Sequence, residues 1–113
     1  MKITVAIPVF NRERYVGIAV RSLLRQRPNV DIDILVVDDG STDESAAVVK
    51  DLQATCHCIR LVSQPNRGVA GARNTALRNL LPETALVSFL DSDDVATAER
   101  FADDLRHFES NLS

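Results

Sequence analysis

Between Asp31 and Val37 the chain places Ile32, Ile34, Leu35, Val36 and Val37 almost without interruption. A strand with no polar face has nothing to offer water, so both its faces must be covered. That is the condition of a central strand in a parallel sheet. The run ends abruptly in Asp38-Asp39-Gly40-Ser41-Thr42-Asp43-Glu44. Gly40 supplies the turn, and Ser41 with Glu44 has the spacing of a capping box opening a helix through about Gln53. Asp38 and Asp39 precede that cap and crowd two charges at the strand end, which capping alone does not require.

The same unit recurs on either side. Lys2–Val9 is a β-branched run, hence a strand, with Pro8 marking where its pairing stops. Asn11 is placed to cap a helix over about Arg12–Gln26, whose Val16, Ala19, Val20, Leu23 and Leu24 fall on one face. Ile59–Ser63 is a third, shorter strand. Pro65–Gly68 forms a turn, and a helix follows over about Val69–Leu80 with Val69, Ala70, Ala76, Leu77 and Leu80 as its core face. Ala85–Leu90 is a fourth strand, and a last helix runs over about Thr97–Glu109 with Phe101, Leu105, Phe108 and Leu112 in its apolar stripe. Its Glu99, Asp103 and Asp104 fit a solvated face. Four βα units with short connections and right-handed crossovers require an α/β fold, an open, mostly parallel sheet with helices on both faces.

At 113 residues this is one domain, residues 1–113, without repeats or linkers. A net charge of −3 provides no basic footprint for nucleic acid. No run reaches the length of a membrane span and the N-terminus lacks a signal-peptide layout, so a soluble, cytoplasmic protein is expected. Cys56-His57-Cys58 does not make a zinc site, because His107 is the only other histidine and no further cysteine exists. A disulfide between residues two apart would be strained, so reduced thiols are expected there.

In an open parallel sheet every βα loop lies at the carboxyl edge of the strands, where ligands bind. Pro8–Asn11, Asp38–Ser41, Asn66–Gly68 and Asp91–Asp94 are those loops, so the conspicuous polar residues converge on one rim. Helix N-termini point to the same rim and favour an anion. After the fourth strand, Asp91 and Asp93 are two residues apart and face the same way in extended chain. Oxygen-only ligands of this kind suit Mg²⁺ or Mn²⁺, which binds together with substrate phosphates. Arg73, near the start of the third helix, is a long cation that needs a carboxylate or phosphate partner. A metal–nucleotide site follows. No Gly-x-Gly-x-x-Gly and no Walker lysine motif are present, which counts against dinucleotide enzymes and P-loop NTPases.

Five blocks now carry a resemblance: Val5–Asn11, Ser22–Gln26, Val36–Asp43, Asn66-Arg67-Gly68 with Ala72-Arg73-Asn74, and Phe89–Asp94. In order and spacing they resemble the nucleotide-binding half of a family 2 glycosyltransferase of the GT-A fold, a Rossmann-like half, over nearly the whole chain. The resemblance implies a nucleoside-diphosphate-sugar donor, often a uridine one, bound with Mn²⁺ or Mg²⁺ by an inverting transferase. It implies that Pro8, Phe10, Asn11, Asp38, Asp39, Arg73 and Asp91 contact the nucleotide. Asp39 would hold the uracil or ribose, and the backbone of Pro8–Phe10 would line the base pocket. Asp91-Ser92-Asp93 is similar to the family's DxD motif, with Asp93 the direct metal ligand, Asp91 near the ribose and metal, and Asp94 in a supporting place. Two departures stand out. Ala76 stands where the family commonly has glycine, and no acceptor-binding half with its general base follows. The chain is therefore expected to be a donor-binding fragment with little or no transferase activity of its own.

Three other classes compete. A receiver domain would need an acidic pair after the first strand, where Asn11 stands, an Asp after the third, where Gln64 stands, and a lysine after the fifth. A phosphotransferase with an aspartate nucleophile would need a nearby Thr and an opposing lysine, and neither is in place. A non-catalytic nucleotide-binding or partner-binding module is the third. A truncated sheet with an exposed last strand would also favour pairing or aggregation, which makes a homodimer one possible state.

Overall fold

A computed structural model describes residues 2–26 and 31–91 of the chain. Four strands, β1 (Lys2–Val9), β2 (Asp31–Asp39), β3 (Ile59–Gln64) and β4 (Thr84–Phe89), alternate with three helices, α1 (Val16–Leu24), α2 (Ser45–Gln53) and α3 (Gly68–Arg78). All strand pairs are parallel, and the sheet order is β3-β2-β1-β4. The chain thus winds outward through β1, β2 and β3, then crosses back over the sheet to lay β4 on the other side of β1. The α/β, open parallel architecture is as expected. The expected helix over Thr97–Glu109 lies outside the described residues.

Alternation along the central strands sorts the core into two layers. Ile3, Val5, Ile7 and Val9 of β1 and Ile32, Ile34 and Val36 of β2 meet Val16, Val20 and Leu23 of α1 and Val49 and Leu52 of α2. The opposite side of the same strands presents Ala6, Leu35 and Val37 to Ala72 and Ala76 of α3. The two-sided burial of β2 is what its unbroken apolar run demanded.

The face that α3 buries differs from the one expected. Val69 is 58% exposed and Leu77 49% exposed, and Ala70 also lies outward, while Ala72 and Ala76 are the buried pair. Two alanines four residues apart let the helix backbone lie close over β1 and β2, where larger side chains would hold it off. Ala76 in particular packs into this layer with no glycine needed.

Two helix starts also move. Regular α1 begins at Val16 and α2 at Ser45, each about a turn later than its supposed cap. Asn11 and Ser41 are spent on each other's loops instead, as described below. The cysteines differ as well. Cys56 and Cys58, expected as separate thiols, are paired in a disulfide, their Cα atoms 5.3 Å apart. The turn between α2 and β3 turns both side chains to one side, at an ordinary Cα separation for a disulfide.

Buried polar groups on the α3 side tie the amino ends of the strands together. Asp33, only 3% exposed, accepts from Arg60 Nε at 2.8 Å and Nη2 at 2.7 Å. It also accepts from the Thr4 hydroxyl at 2.8 Å, which bonds in turn to Thr84 at 2.7 Å. Arg60 Nη1 donates to the Asn79 carbonyl at the end of α3, at 2.8 Å. Thr4, Asp33, Arg60 and Thr84 come from four strands, so one cluster joins the whole sheet to α3.

Candidate functional site

The carboxyl edge owes its shape to Pro8. Pairing of β1 with β2 continues through Val9 and Asp38, whereas pairing with β4 stops at Ala6 and Phe89, followed by a bond from the Leu90 amide to the Ala6 carbonyl. Pro8 has no N–H with which to prolong that ladder. β1 and β4 part here, at the place where the winding of the sheet reverses. A crevice at such a switch point is the usual ligand site of open α/β sheets. The cavity found there has a volume of about 320 Å³ and is lined by Pro8, Val9, Phe10, Arg12, Asp39, Val69, Ala72 and Asp91.

Asp39 is the most constrained of these. It is 4% exposed, and its carboxylate caps α3 from across the sheet edge. Oδ1 accepts from the Arg67 amide at 2.8 Å and from Gln64 Nε2 at 2.9 Å, and Oδ2 accepts from the Gly68 amide at 3.0 Å. An acceptor-only group at a helix N-terminus is favoured by the helix dipole as well as by the bonds. Gly40 follows with φ +79°, and a Cβ there would come within 2.7 Å of the Asn66 amide nitrogen. The close approach of the β2–α2 and β3–α3 loops that seats Asp39 on α3 therefore requires glycine.

Asn11 and Asp38 work beside the cavity and do not line it. Asn11 adopts φ +52°, a left-handed conformation that asparagine tolerates. Its Oδ1 accepts from the Thr42 amide at 2.8 Å and the Asp43 amide at 3.3 Å, and its own amide donates to Ser41 Oγ at 3.0 Å. Asp38 accepts from the Ser41 amide at 3.1 Å. The capping box expected from Ser41 and Glu44 does not form, because Asp43 receives the Ser45 amide at 2.9 Å and hydroxyl at 2.6 Å. Asp43 also receives the Glu13 amide at 3.2 Å, and Ser45 Oγ receives the Arg12 amide at 2.9 Å. The first turn before α1 is thus capped from the α2 loop, and the two loops hold Phe10 and Arg12 at the cavity.

These bonds set the acidity of Asp43. Partial burial, the largest single influence, acts upward, but the bonds from the Ser45 hydroxyl and amide and the Glu13 amide together hold the carboxyl below its usual range. A depressed folded-state pKa stabilises the fold above the unfolded value of about 3.9, and the stabilisation is lost as pH falls through the lower folded value. Asp43→Asn should accordingly be less stable than the parent at neutral pH. In urea unfolding, the gap should close as pH drops below about 4. A gap that stays constant down to about pH 3 would assign the effect to something other than this carboxylate.

Arg73 stands on α3 with its guanidinium over the Phe89 ring, 5.6 Å from the centroid, in a cation–π contact. It neighbours Ala72 in sequence but is not among the residues lining the cavity. Asp91 borders the cavity, while Ser92, Asp93 and Asp94 lie outside the described residues. Among the described residues no three His, Cys, Asp or Glu side chains gather to hold a metal. Asp91 on the cavity wall is an oxygen donor of the kind Mg²⁺ or Mn²⁺ takes, an ion that uses one or two protein carboxylates and completes its shell with phosphate and water.

Of the expected site residues, the cavity brings together Pro8, Phe10, Asp39 and Asp91. It adds Val9, Arg12, Val69 and Ala72. Arg12 was legible only as the residue after Asn11 in the first loop. Val69 and Ala72 traded places in the helical pattern, the one assigned to the core opening onto the site. No helix among the described residues is long and apolar enough to cross a membrane.

Residues 4–112 match the family model described as Glycosyl transferase family 2. The chain is 42% identical over 93 residues to glycosyltransferase GlyA of Streptococcus pneumoniae, covering 82% of this chain and 13% of that protein. Among solved structures, S. aureus TarS in complex with UDP-GlcNAc superposes with a TM-score of 0.84 at 30% identity, over 97% of this chain and 32% of that one. The mannosyltransferase PcManGT of Pyrobaculum calidifontis, in complex with GDP-Man and Mn²⁺, gives a TM-score of 0.73 at 30% identity, over 82% of this chain and 28% of that one. The chain thus spans about a third or less of the length of these relatives.

Proposed function

The chain belongs to glycosyl transferase family 2, and from that membership we propose that its carboxyl-edge cavity takes the nucleoside diphosphate of a sugar donor, as the donor-binding part of an inverting transferase. The observation that carries this is the placing of a buried, anchored carboxylate, Asp39, in a crevice walled by Pro8, Val9 and Phe10 at the switch point of the sheet. The crevice is large enough for a base and ribose, with an acceptor at its side. UDP-GlcNAc and GDP-Man in the complexes of two structural neighbours support a nucleotide sugar as the ligand class. A uridine nucleotide is preferred here, with Asp39 on the uracil or ribose.

Asp91 and Asp93 are the carboxylates that would hold Mn²⁺ or Mg²⁺, which when bound supplies positive charge to the diphosphate leaving group. Arg73 would leave the Phe89 ring for the phosphates, and Asn11 and Asp38 act by fixing the loops that shape the pocket. A general base for the acceptor hydroxyl contributes about 10²–10⁴ in rate. We place that base and the acceptor site outside the donor cavity, in keeping with relatives of which these residues match only 13–32%. β4 is an edge of the described sheet, which supports pairing of two copies through it. A cytoplasmic location fits a nucleotide-sugar donor and is part of the same proposal.

Thermal unfolding with UDP, GDP and ADP, each with and without Mn²⁺, tests this. A nucleotide at about 100 times its Kd adds about 2.7 kcal/mol to stability. UDP with Mn²⁺ is expected to stabilise most, and Asp93→Ala to remove the metal dependence. Melting unchanged from that of the nucleotide-free protein in all six conditions would refute the donor site.

A further inference from the structure

The outward side of α1 carries a charge pattern that the donor site does not use. Residues 13–25 hold three arginines against Glu13 alone, a net of +2 in a chain of net −3, so the rest of the molecule carries −5. Arg14, in the turn that leads into α1, and Arg21 and Arg25 further along are all exposed. With Ile18 they stand at i, i+4, i+7 and i+11, which puts four side chains in one row on the helix. The row is about 16 Å long. Its apolar part is exposed too, Ile18 at 45% and the neighbouring Tyr15 at 50%. The buried side of α1 is the other one, through Val16, Val20 and Leu23. Ion pairing does not account for the arginines. Among the described residues the ion pairs join Lys2 to Asp31 and Arg60 to Asp33, and none involves Arg14, Arg21 or Arg25.

We propose that this face of α1 is a docking surface for an anionic lipid membrane. The charge complementarity is directional, because a chain that is acidic elsewhere is repelled by such a membrane in its other orientations. The apolar residues select lipid over a soluble polyanion. Tyr15 and Ile18 gain by entering the boundary between head groups and acyl chains. The arginine stems lie along that boundary and keep their guanidinium groups at the lipid phosphates. Phe10 and Arg12 of the cavity stand on the lead-in to the same helix, so a chain docked in this way holds its crevice beside the membrane surface. The proposal does not depend on which ligand that crevice takes.

Co-sedimentation of the 113-residue chain with vesicles tests it. Vesicles of equal parts phosphatidylglycerol and phosphatidylcholine should bind the chain, and phosphatidylcholine alone should not. Binding should weaken as salt shortens the Debye length from about 10 Å at 0.1 M to about 3 Å at 1 M. An arginine near an anionic surface is worth about fivefold in partitioning, so Arg14→Gln, Arg21→Gln and Arg25→Gln together should cost about a hundredfold. Arg25→Gln alone should cost its share. Arg78→Gln, the same change of charge on α3 across the sheet, should alter partitioning little. Tyr15→Ser with Ile18→Ser should weaken binding while leaving its salt dependence. These positions are all exposed, so the variants should melt with the parent. Binding to neither vesicle, equal binding to both, or full binding by the triple variant would overturn the proposal. So would binding indifferent to Tyr15 and Ile18. Capture by soluble polyphosphate without vesicle binding would give the row to a soluble polyanion and overturn it as well.

Discussion

Arg60→Met is expected to destabilise the fold by about 3–5 kcal/mol, the largest loss of any single substitution considered. Asp33 is almost wholly buried in the α3 layer, and Arg60 supplies two of the three hydrogen bonds it receives. With Arg60 gone, a carboxylate stays in the interior with only the Thr4 hydroxyl as donor. Removing one member of a buried pair is costly for this reason, whereas replacing both by apolar residues is often neutral. The double variant Asp33→Val with Arg60→Met should therefore recover most of the loss, and Thr4 keeps a partner in Thr84. Urea unfolding midpoints at unchanged m report both effects. A single variant that loses less than about 1 kcal/mol would show that the pair behaves as a surface salt bridge.

Asp39→Ala should act on binding in place of fold alone. It is expected to lower UDP affinity by about 10–100-fold, the value of a hydrogen bond to a charged group. It also strands the Gln64 amide and the Arg67 and Gly68 N–H groups, at about 1–3 kcal/mol for each that water does not reach. Stability and affinity can be separated by comparing it with Arg60→Met. That variant is damaged at the opposite edge of the sheet, so its folded fraction should bind UDP as the parent does. Equal affinity in Asp39→Ala and parent would place the nucleotide elsewhere.

The fold was readable because its strongest signals are local and unambiguous. An apolar run such as Ile34–Val37 admits only a strand covered on both faces, and four such runs alternating with helical segments leave little besides an open parallel sheet. The meeting of Pro8, Phe10, Asp39 and Asp91 followed from topology, since all four stand at or just beyond strand carboxyl ends. What the sequence could not convey is which partner a versatile side chain chooses. Asn11 and Ser41 each suit a cap of their own helix, yet they bond across loops about thirty residues apart in sequence, and Asp43 serves its own helix and the other loop at once. Val69 and Leu77 looked like core residues on period alone, but the close seating of α3 selected Ala72 and Ala76. Arg73 rests on the Phe89 ring, a contact that its place in the sequence does not announce. The Asp33–Arg60 cluster gave little warning either, because a charge inside an apolar strand reveals nothing of the cation that meets it from the next strand.

The most direct test is an NMR titration of the isotopically labelled chain with UDP and Mg²⁺, following every backbone amide. Amides of residues 9–12, 39–41 and 66–69, around the crevice between β1 and β4, should shift together along one saturation curve. Those around Thr4, Asp33, Arg60 and Thr84 at the far edge should stay in place. Shifts confined to the far edge, or none at millimolar UDP, would contradict a donor site at the carboxyl edge of the sheet.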